Sequence, residues 1–298
     1  MKYNKDNPLR VFEAFAGYSS QSLALQRLKQ DYPEFDFVRV GWAEFDPQSK
    51  KPIDEQPAVV ANKALFPDGS RNYGDITSIM WQDVPDFDLF TTSFPCTDVS
   101  NAGRQAGLEK GSGTRSSMIW ECERAIEIKR PKYILLENVK ALLSKKFKPY
   151  YNKWVEILEG YGYKTFTEIL NAKDFGIPQN RERVFGVSIL RTPDEPEPAY
   201  HFPKPFPLDT CLADVLDEEV DEKYFLSDEM LARFCIKSVE QGDTKQGDTM
   251  PLGINGCRSN KLDNCKDCKF DLSAEQCARL YALMDKYGKT PLGKPYPR

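Results

Sequence analysis

A single histidine, His201, serves the whole 298-residue chain. It stands between Tyr200 and Phe202 in a proline-rich stretch with no second histidine beside it. A Ser-His-Asp hydrolase or a histidine-based metal centre is therefore hard to build. No run approaches the ~20 apolar residues that cross a bilayer. The opening Met1-Lys-Tyr-Asn-Lys-Asp carries charge without an apolar core behind it. Neither a membrane span nor a signal peptide is expected, and a cytoplasmic, reducing setting follows. In that setting the eight cysteines read as free thiols rather than a disulfide framework. A net charge of −4 argues against a uniformly basic nucleic-acid binder. What is present is the balance of a globular protein, 40% hydrophobic and 29% charged.

The charge is unevenly spread. Residues Asn101 to Tyr150 hold eleven Lys or Arg against five Asp or Glu, a local excess of +6, and Asp209 to Glu229 hold nine acids and one lysine. One basic face suits phosphate contact on one side only. Short apolar runs alternate with amphipathic stretches over the first 190 residues. Arg10–Phe15, Phe37–Trp42, Phe87–Thr92, Lys132–Glu137 and Val184–Ile189 read as strands. In Ser116–Ile128, apolar residues recur at three- and four-residue spacing, with Ser116 or Ser117 as cap. The pattern predicts an α/β fold, a mainly parallel sheet with helices on both faces. Six prolines between Arg191 and Pro207 then mark a linker. The expected division is 1–190 as the main domain, 191–207 as the linker and 208–298 as a small, irregular C-terminal region. Short helices are expected there over Ala213–Val220 and Asp228–Lys237.

Four segments carry chemistry. In Val11-Phe-Glu-Ala-Phe-Ala-Gly-Tyr-Ser-Ser, a strand ends at Phe15, turns through Gly17 and enters a helix near Ser20. The turn lacks the three glycines that let a dinucleotide pyrophosphate approach closely, but it suits a nucleoside bearing an amino-acid carboxylate. Glu44, at the end of the second strand, can accept ribose hydroxyl protons, and Asp75 in Tyr73-Gly-Asp-Ile can accept an adenine amino hydrogen. Next, Phe94-Pro-Cys-Thr places Cys96 on a loop stiffened by Pro95 at the same sheet edge. Reactive thiols need electropositive, partly exposed surroundings, and Arg104 and Arg115 are available. Glu137-Asn-Val ends a hydrophobic strand with a carboxyl group able to donate a proton or hold a ring nitrogen. Finally, Gln179, Arg181 and Arg183 alternate on entry to a strand, so their side chains are expected to point one way.

Taken in order, the Phe-Ala-Gly loop, Pro-Cys, Glu-Asn-Val and Gln-x-Arg-x-Arg resemble the motifs of the DNA cytosine-C5 methyltransferase family, bacterial or phage type. The likeness runs over residues 9–190. It implies a Rossmann-like S-adenosylmethionine-dependent methyltransferase sheet, with S-adenosylmethionine as cofactor and double-stranded DNA as partner. It implies Cys96 as the nucleophile attacking C6 of a flipped-out cytosine. Glu137 would bind the N3 and amino edge, Arg183 the C2 carbonyl, and Arg181 would help position the thiol and base. Phe15, Ala16, Gly17, Tyr18, Ser19, Glu44, Phe45, Asp75, Ile76 and Pro95 would line the cofactor.

The chain departs from that pattern. Ser19-Ser20 stand where the family usually has Gly-Gly, and Thr97 stands where Gln often follows the cysteine. A Gly-Asn-Ser-type closing segment and a Thr-Leu recognition signature are not found, so residues 208–298 read as a reduced or partial target-recognition region. A second polypeptide supplying the closing segment is the corresponding expectation. The alternatives are a tRNA cytosine methyltransferase and a non-catalytic or split subunit needing a partner chain. Cys257, Cys265, Cys268 and Cys277, with Cys-x-x-Cys at their centre, are candidate zinc ligands, although their flanking spacings are not a standard double Cys-x-x-Cys.

Overall fold

Runs of Val, Ile, Leu and Phe build the strands of this protein, and their register decides which side chains meet. The computed structural model describes residues 2–96, 108–112, 114–217, 220–221 and 224–227. Six strands, β1 (Leu9–Ala14), β2 (Phe37–Ala43), β3 (Leu89–Thr92), β4 (Tyr133–Val139), β5 (Tyr163–Asn171) and β6 (Glu182–Leu190), form one sheet in the order β2-β1-β3-β4-β6-β5. The β1–β2, β1–β3 and β3–β4 pairings are parallel. The β4–β6 and β5–β6 pairings are antiparallel. The sheet is thus mixed, with an expected parallel half and a hairpin on its edge.

Among the described residues four α-helices, α1 (Ser20–Asp31), α2 (Pro57–Leu65), α3 (Ile119–Lys129) and α4 (Lys148–Gly160), pack on this frame. Side chains alternate across a strand, and the registered row Phe12, Phe90 and Ile134 lies in the main core. Cys122, Ala125 and Ile126 of α3 and Trp154 and Leu158 of α4 join it there. The neighbouring row Val11, Leu89 and Tyr133 faces the other way and packs with Leu25 of α1. Helices therefore cover both faces, as the sequence predicts. β1 is flanked by β2 on one side and β3 on the other, so the chain reverses direction across the sheet there. Open α/β sheets bind ligands outside the carboxyl ends of strands at such a point.

Several elements differ from expectation. The sequence pattern does not announce β5, α2 or α4. β5 is an edge strand whose Thr167, Glu168 and Ile169 are exposed, so no buried face imposes the strong alternation that identifies a strand. The helix expected from Ser116 begins as a 3-10 turn at Arg115–Met118, capped by Thr114 rather than by either serine. The helix expected over Ala213–Val220 is a 3-10 turn at Leu212–Val215, and Asp228–Lys237 lies outside the described residues. No helix among the described residues is long and apolar enough to cross a membrane.

By its internal contacts the chain divides into one unit of residues 1–171 and 181–204 and another of residues 172–180 and 205–298. The first contains the whole sheet. In the second, Phe175 packs edge-on against Phe206, and Thr210 Oγ1 donates to the Gly176 carbonyl at 2.8 Å.

Candidate active site

The loop after β1 departs from ordinary strand-to-helix geometry. Phe15, Gly17 and Ser19 all have positive φ, at 55°, 54° and 63°. That left-handed region is disfavoured for any residue with a Cβ. The middle of the loop is pinned to the end of β2, because the Ala16 N–H donates to the Ala43 carbonyl at 3.1 Å. The Gly17 N–H donates to Glu44 Oε2 at 2.7 Å. Ala16 is buried, Tyr18 is 55% exposed, and the Ser19 side chain is fully buried. Phe45, next to Glu44, is half-buried.

Burial pushes the Glu44 carboxyl above its ordinary value, with the Gly17 N–H opposing. A carboxylate raised in the folded state favours the protonated form, so its burial costs nothing at low pH. Stability is lost as pH rises through the carboxylate range. Glu44→Gln keeps an acceptor for Gly17 and removes the charge. Its thermal midpoint is therefore expected to exceed that of the wild type at neutral pH, with the gap closing on acidification. If Glu44 holds the S-adenosylmethionine ribose as the resemblance implies, affinity for that donor is expected to fall about tenfold or more, the worth of a hydrogen bond to a charged group. Melting curves across pH and calorimetric titration check both.

Asp75 caps the 3-10 turn Ile76–Ser78, its Oδ1 accepting from the Thr77 N–H at 2.9 Å. Ile76 is core, 3% exposed. A cavity of about 470 Å³ elsewhere in this unit is lined by Trp42, Lys63, Phe66, Ser70 and Arg71 among others, none of them a candidate cofactor residue.

Cys96 follows β3 and is half-buried. The backbone leading to it is tied down by two neighbours. Asn138 Nδ2 donates to the Phe94 carbonyl at 2.9 Å, and Ser116 Oγ donates to the Pro95 carbonyl at 2.7 Å. Ser93 Oγ accepts from Gln21 Nε2 at 3.0 Å, which links this loop to the first turn of α1. Asn138 is 2% exposed and immediately follows Glu137, so one strand carries both the carboxyl group and the anchor of the thiol loop. Sequence reasoning missed both anchors, although Asn138 stood in plain view within Glu-Asn-Val. Asn138→Ala leaves a buried carbonyl without its donor. If Cys96 is the nucleophile that the resemblance implies, kcat is expected to fall about tenfold by steady-state kinetics, with calorimetric affinity for the implied S-adenosylmethionine unchanged; an unchanged kcat would mean that this bond does not position the thiol.

Glu137 and Arg183 meet directly. Val139 is registered with Arg183 and Glu137 with Phe185 across the β4–β6 pair, so the two side chains are diagonal neighbours on one face. Arg183 Nε lies 3.0 Å from Glu137 Oε1, with each side chain 22% exposed. Arg183 Nη1 also donates to the Glu182 carbonyl at 2.8 Å. Arg181 precedes the strand. Its backbone N–H donates to Asn171 Oδ1 at 3.0 Å, and its residue surface is exposed. Gln179 and Arg181 precede β6, which begins at Glu182, and Arg183 lies on it. Arg104 and Thr97 lie outside the described residues, as do Cys257, Cys265, Cys268 and Cys277. Arg115 is described, 3.7 Å from Asp46.

The thiol loop, the carboxyl–guanidinium pair and the β1 turn all lie at the carboxyl ends of the parallel strands. The model for the C-5 cytosine-specific DNA methylase family matches residues 9–284. The chain belongs to that family of DNA cytosine-C5 methyltransferases. It is 39% identical over 267 residues to the Type II methyltransferase M2.ScrFI of Lactococcus lactis subsp. cremoris, covering 75% of this chain and 72% of that protein. It is 35% identical over 234 residues to the orphan methyltransferase M.SssI of Spiroplasma monobiae, covering 63% of this chain and 61% of that one. It spans 53% of the Type II methyltransferase M.NlaX of Neisseria lactamica. Among solved structures, a mutant of Spodoptera frugiperda DNMT2 matches with a TM-score of 0.56 at 19% identity, covering 76% of this chain and 65% of that one. Entamoeba histolytica methyltransferase EhMeth matches with a TM-score of 0.52 at 22% identity, covering 75% and 64%. These two share the fold of this methylase-family chain.

Proposed function

We propose that this methylase-family chain transfers a methyl group from S-adenosylmethionine to C5 of cytosine in DNA through a covalent Cys96 adduct. The observation that carries the reading is the Asn138–Phe94 tether, which fixes the Cys96 loop to the same strand that presents Glu137 to Arg183. Cytosine ring carbons are poor nucleophiles. Attack of the Cys96 thiolate on C6 makes C5 enamine-like, a case of covalent catalysis. Glu137 holds the N3 and amino edge and accommodates the charge that develops there. Arg183 donates to the C2 carbonyl, and Arg181 helps orient thiol and base. Such chemistry requires the base to leave the duplex.

The donor would be held by the Phe15, Ala16, Gly17, Tyr18 and Ser19 turn, by Glu44, Phe45, Asp75 and Ile76, and by Pro95. A half-buried carboxylate beside a tight backbone turn fits a nucleoside with vicinal hydroxyls. When bound, S-adenosylmethionine supplies the electrophilic methyl group that C5 accepts. Loss of the C5 proton then lets Cys96 depart.

Residues 208–298 are proposed to contribute to target recognition, with 191–207 as the linker to them. A second polypeptide finds no support in the fold or the relatives. Among the described residues no cluster of His, Cys, Asp or Glu suits a metal. The test is transfer of labelled methyl from S-adenosylmethionine into duplex DNA, with tRNA as the competing acceptor. Label in DNA supports the reading; label in tRNA alone overturns the substrate assignment.

A further inference from the structure

Ser19 occupies a position that asks for glycine. Its backbone is left-handed, φ 63° and ψ 56°, at the N-cap of α1, and its side chain makes no capping bond to that helix. An ordinary N-cap serine is extended and turns its hydroxyl to the helix N–H groups. Here the hydroxyl points the other way, into a fully buried polar cluster. Ser19 Oγ accepts from Asn62 Nδ2 at 2.7 Å and from Arg39 Nη2 at 3.2 Å. Asn62 Nδ2 also donates to the Gly17 carbonyl at 3.2 Å, and Asn62 Oδ1 accepts from Arg39 Nη2 at 2.8 Å.

The cluster is braced on all sides. Arg39 Nη1 lies 3.3 Å from Asp68 and Nε lies 3.5 Å from Glu13, an ion pair without hydrogen-bond geometry. The guanidinium covers the Phe66 ring at 4.4 Å. Glu13 in turn accepts from the N–H and hydroxyl of Ser22 in the first turn of α1, at 3.1 and 2.5 Å. A buried arginine with so many fixed partners has few alternative positions. Two elements, β2 through Arg39 and α2 through Asn62, thus converge on Ser19, and Glu13 of β1 braces the arginine from behind.

We propose that Asn62 and Arg39 are positioning residues that clamp Ser19 in its left-handed conformation and so hold the Phe15–Ser19 turn in the shape that receives the donor. The proposal rests on the donor assignment made above. The cluster takes over, through side-chain bonds, what an achiral glycine would supply through its backbone freedom.

The experiment measures S-adenosylmethionine affinity of the full chain by calorimetry, with Asn62→Ala made in the wild-type and in the Ser19→Gly backgrounds. With Ser19 present, Asn62→Ala is expected to weaken binding about tenfold, within the roughly five- to thirtyfold range that a left-handed Cβ residue implies. In the Ser19→Gly background, the same change is expected to cost less than about twofold. An equal loss in both backgrounds would mean that Asn62 acts elsewhere, and overturns the proposal.

Ser19→Ala compared with Ser19→Gly provides a second measurement that does not depend on folding of the Asn62 variant. Alanine keeps the Cβ and loses the clamp, so it is expected to bind the donor about fivefold or more weakly than glycine does. Equal binding overturns the proposal. If the wild type binds no S-adenosylmethionine, the donor assignment fails, and thermal midpoints of the same variants decide the clamp. A smaller drop from Asn62→Ala in the Ser19→Gly background supports it, and equal drops refute it.

Discussion

Cys96→Ser is expected to lower methyl transfer into DNA by at least about 10³-fold, while the melting curve and DNA affinity stay near those of the wild type. A hydroxyl is a far weaker nucleophile than a thiolate at neutral pH, and removing a nucleophile that acts as a unit with its partners costs several orders of magnitude. Cys96 is half-buried and outside the main core, and the carbonyls that fix its loop belong to Phe94 and Pro95. The side-chain change therefore leaves the scaffold in place. A second readout isolates the covalent step. Duplex DNA bearing 5-fluorocytosine has no C5 proton to lose, so the adduct formed by Cys96 cannot eliminate. The wild type should give a denaturation-resistant protein–DNA complex only when S-adenosylmethionine is present, and Cys96→Ser should give none. A serine variant as active as the wild type would end the covalent reading.

The frame around that thiol was legible because its signals are local. β1, β2, β3, β4 and β6 each combine apolar or β-branched residues with a buried face, and α3 shows three- and four-residue spacing on its core side. What stayed hidden depends on distant partners. Thr167 and Glu168 on β5 face solvent, so that strand exists through its ladder to β6 rather than through its own pattern. Pro57 begins α2 at a position where proline suits a helix, a signal that could have been read. Arg39 and Asn62 lie 20 and 43 residues from Ser19, and no periodicity announces that their side chains meet it. The departure from Gly-Gly at residues 19 and 20 was the visible trace of that cluster. The sequence showed the exception, and the fold shows what accommodates it.

Glu137→Gln is expected to lower kcat by about 10²- to 10³-fold with little change in stability, and the contrast between those two magnitudes identifies what the pair does. An ion pair with both side chains 22% exposed lies in the partly screened regime, worth roughly 0–1 kcal/mol to folding. In a protein of this size that is a shift of at most about 2–4 °C. Loss of a group that exchanges or shares a proton in the transition state is worth about 10²- to 10⁴-fold in rate, or roughly 3–5 kcal/mol. The functional effect should therefore exceed the structural one several-fold. Arg183→Ala is expected to cost about 10- to 100-fold in rate, since it removes the charge-assisted donor proposed for the C2 carbonyl and frees the Glu137 carboxylate to adopt other rotamers. Because Arg183 Nε and Glu137 Oε1 are in contact, the double variant should fall short of the product of the single losses. Rates that decline only in step with thermal midpoints, or a double variant that is strictly multiplicative, would reduce the pair to a strand-to-strand brace. Non-additive rates at nearly constant stability would make the pair a single unit that grips the cytosine edge.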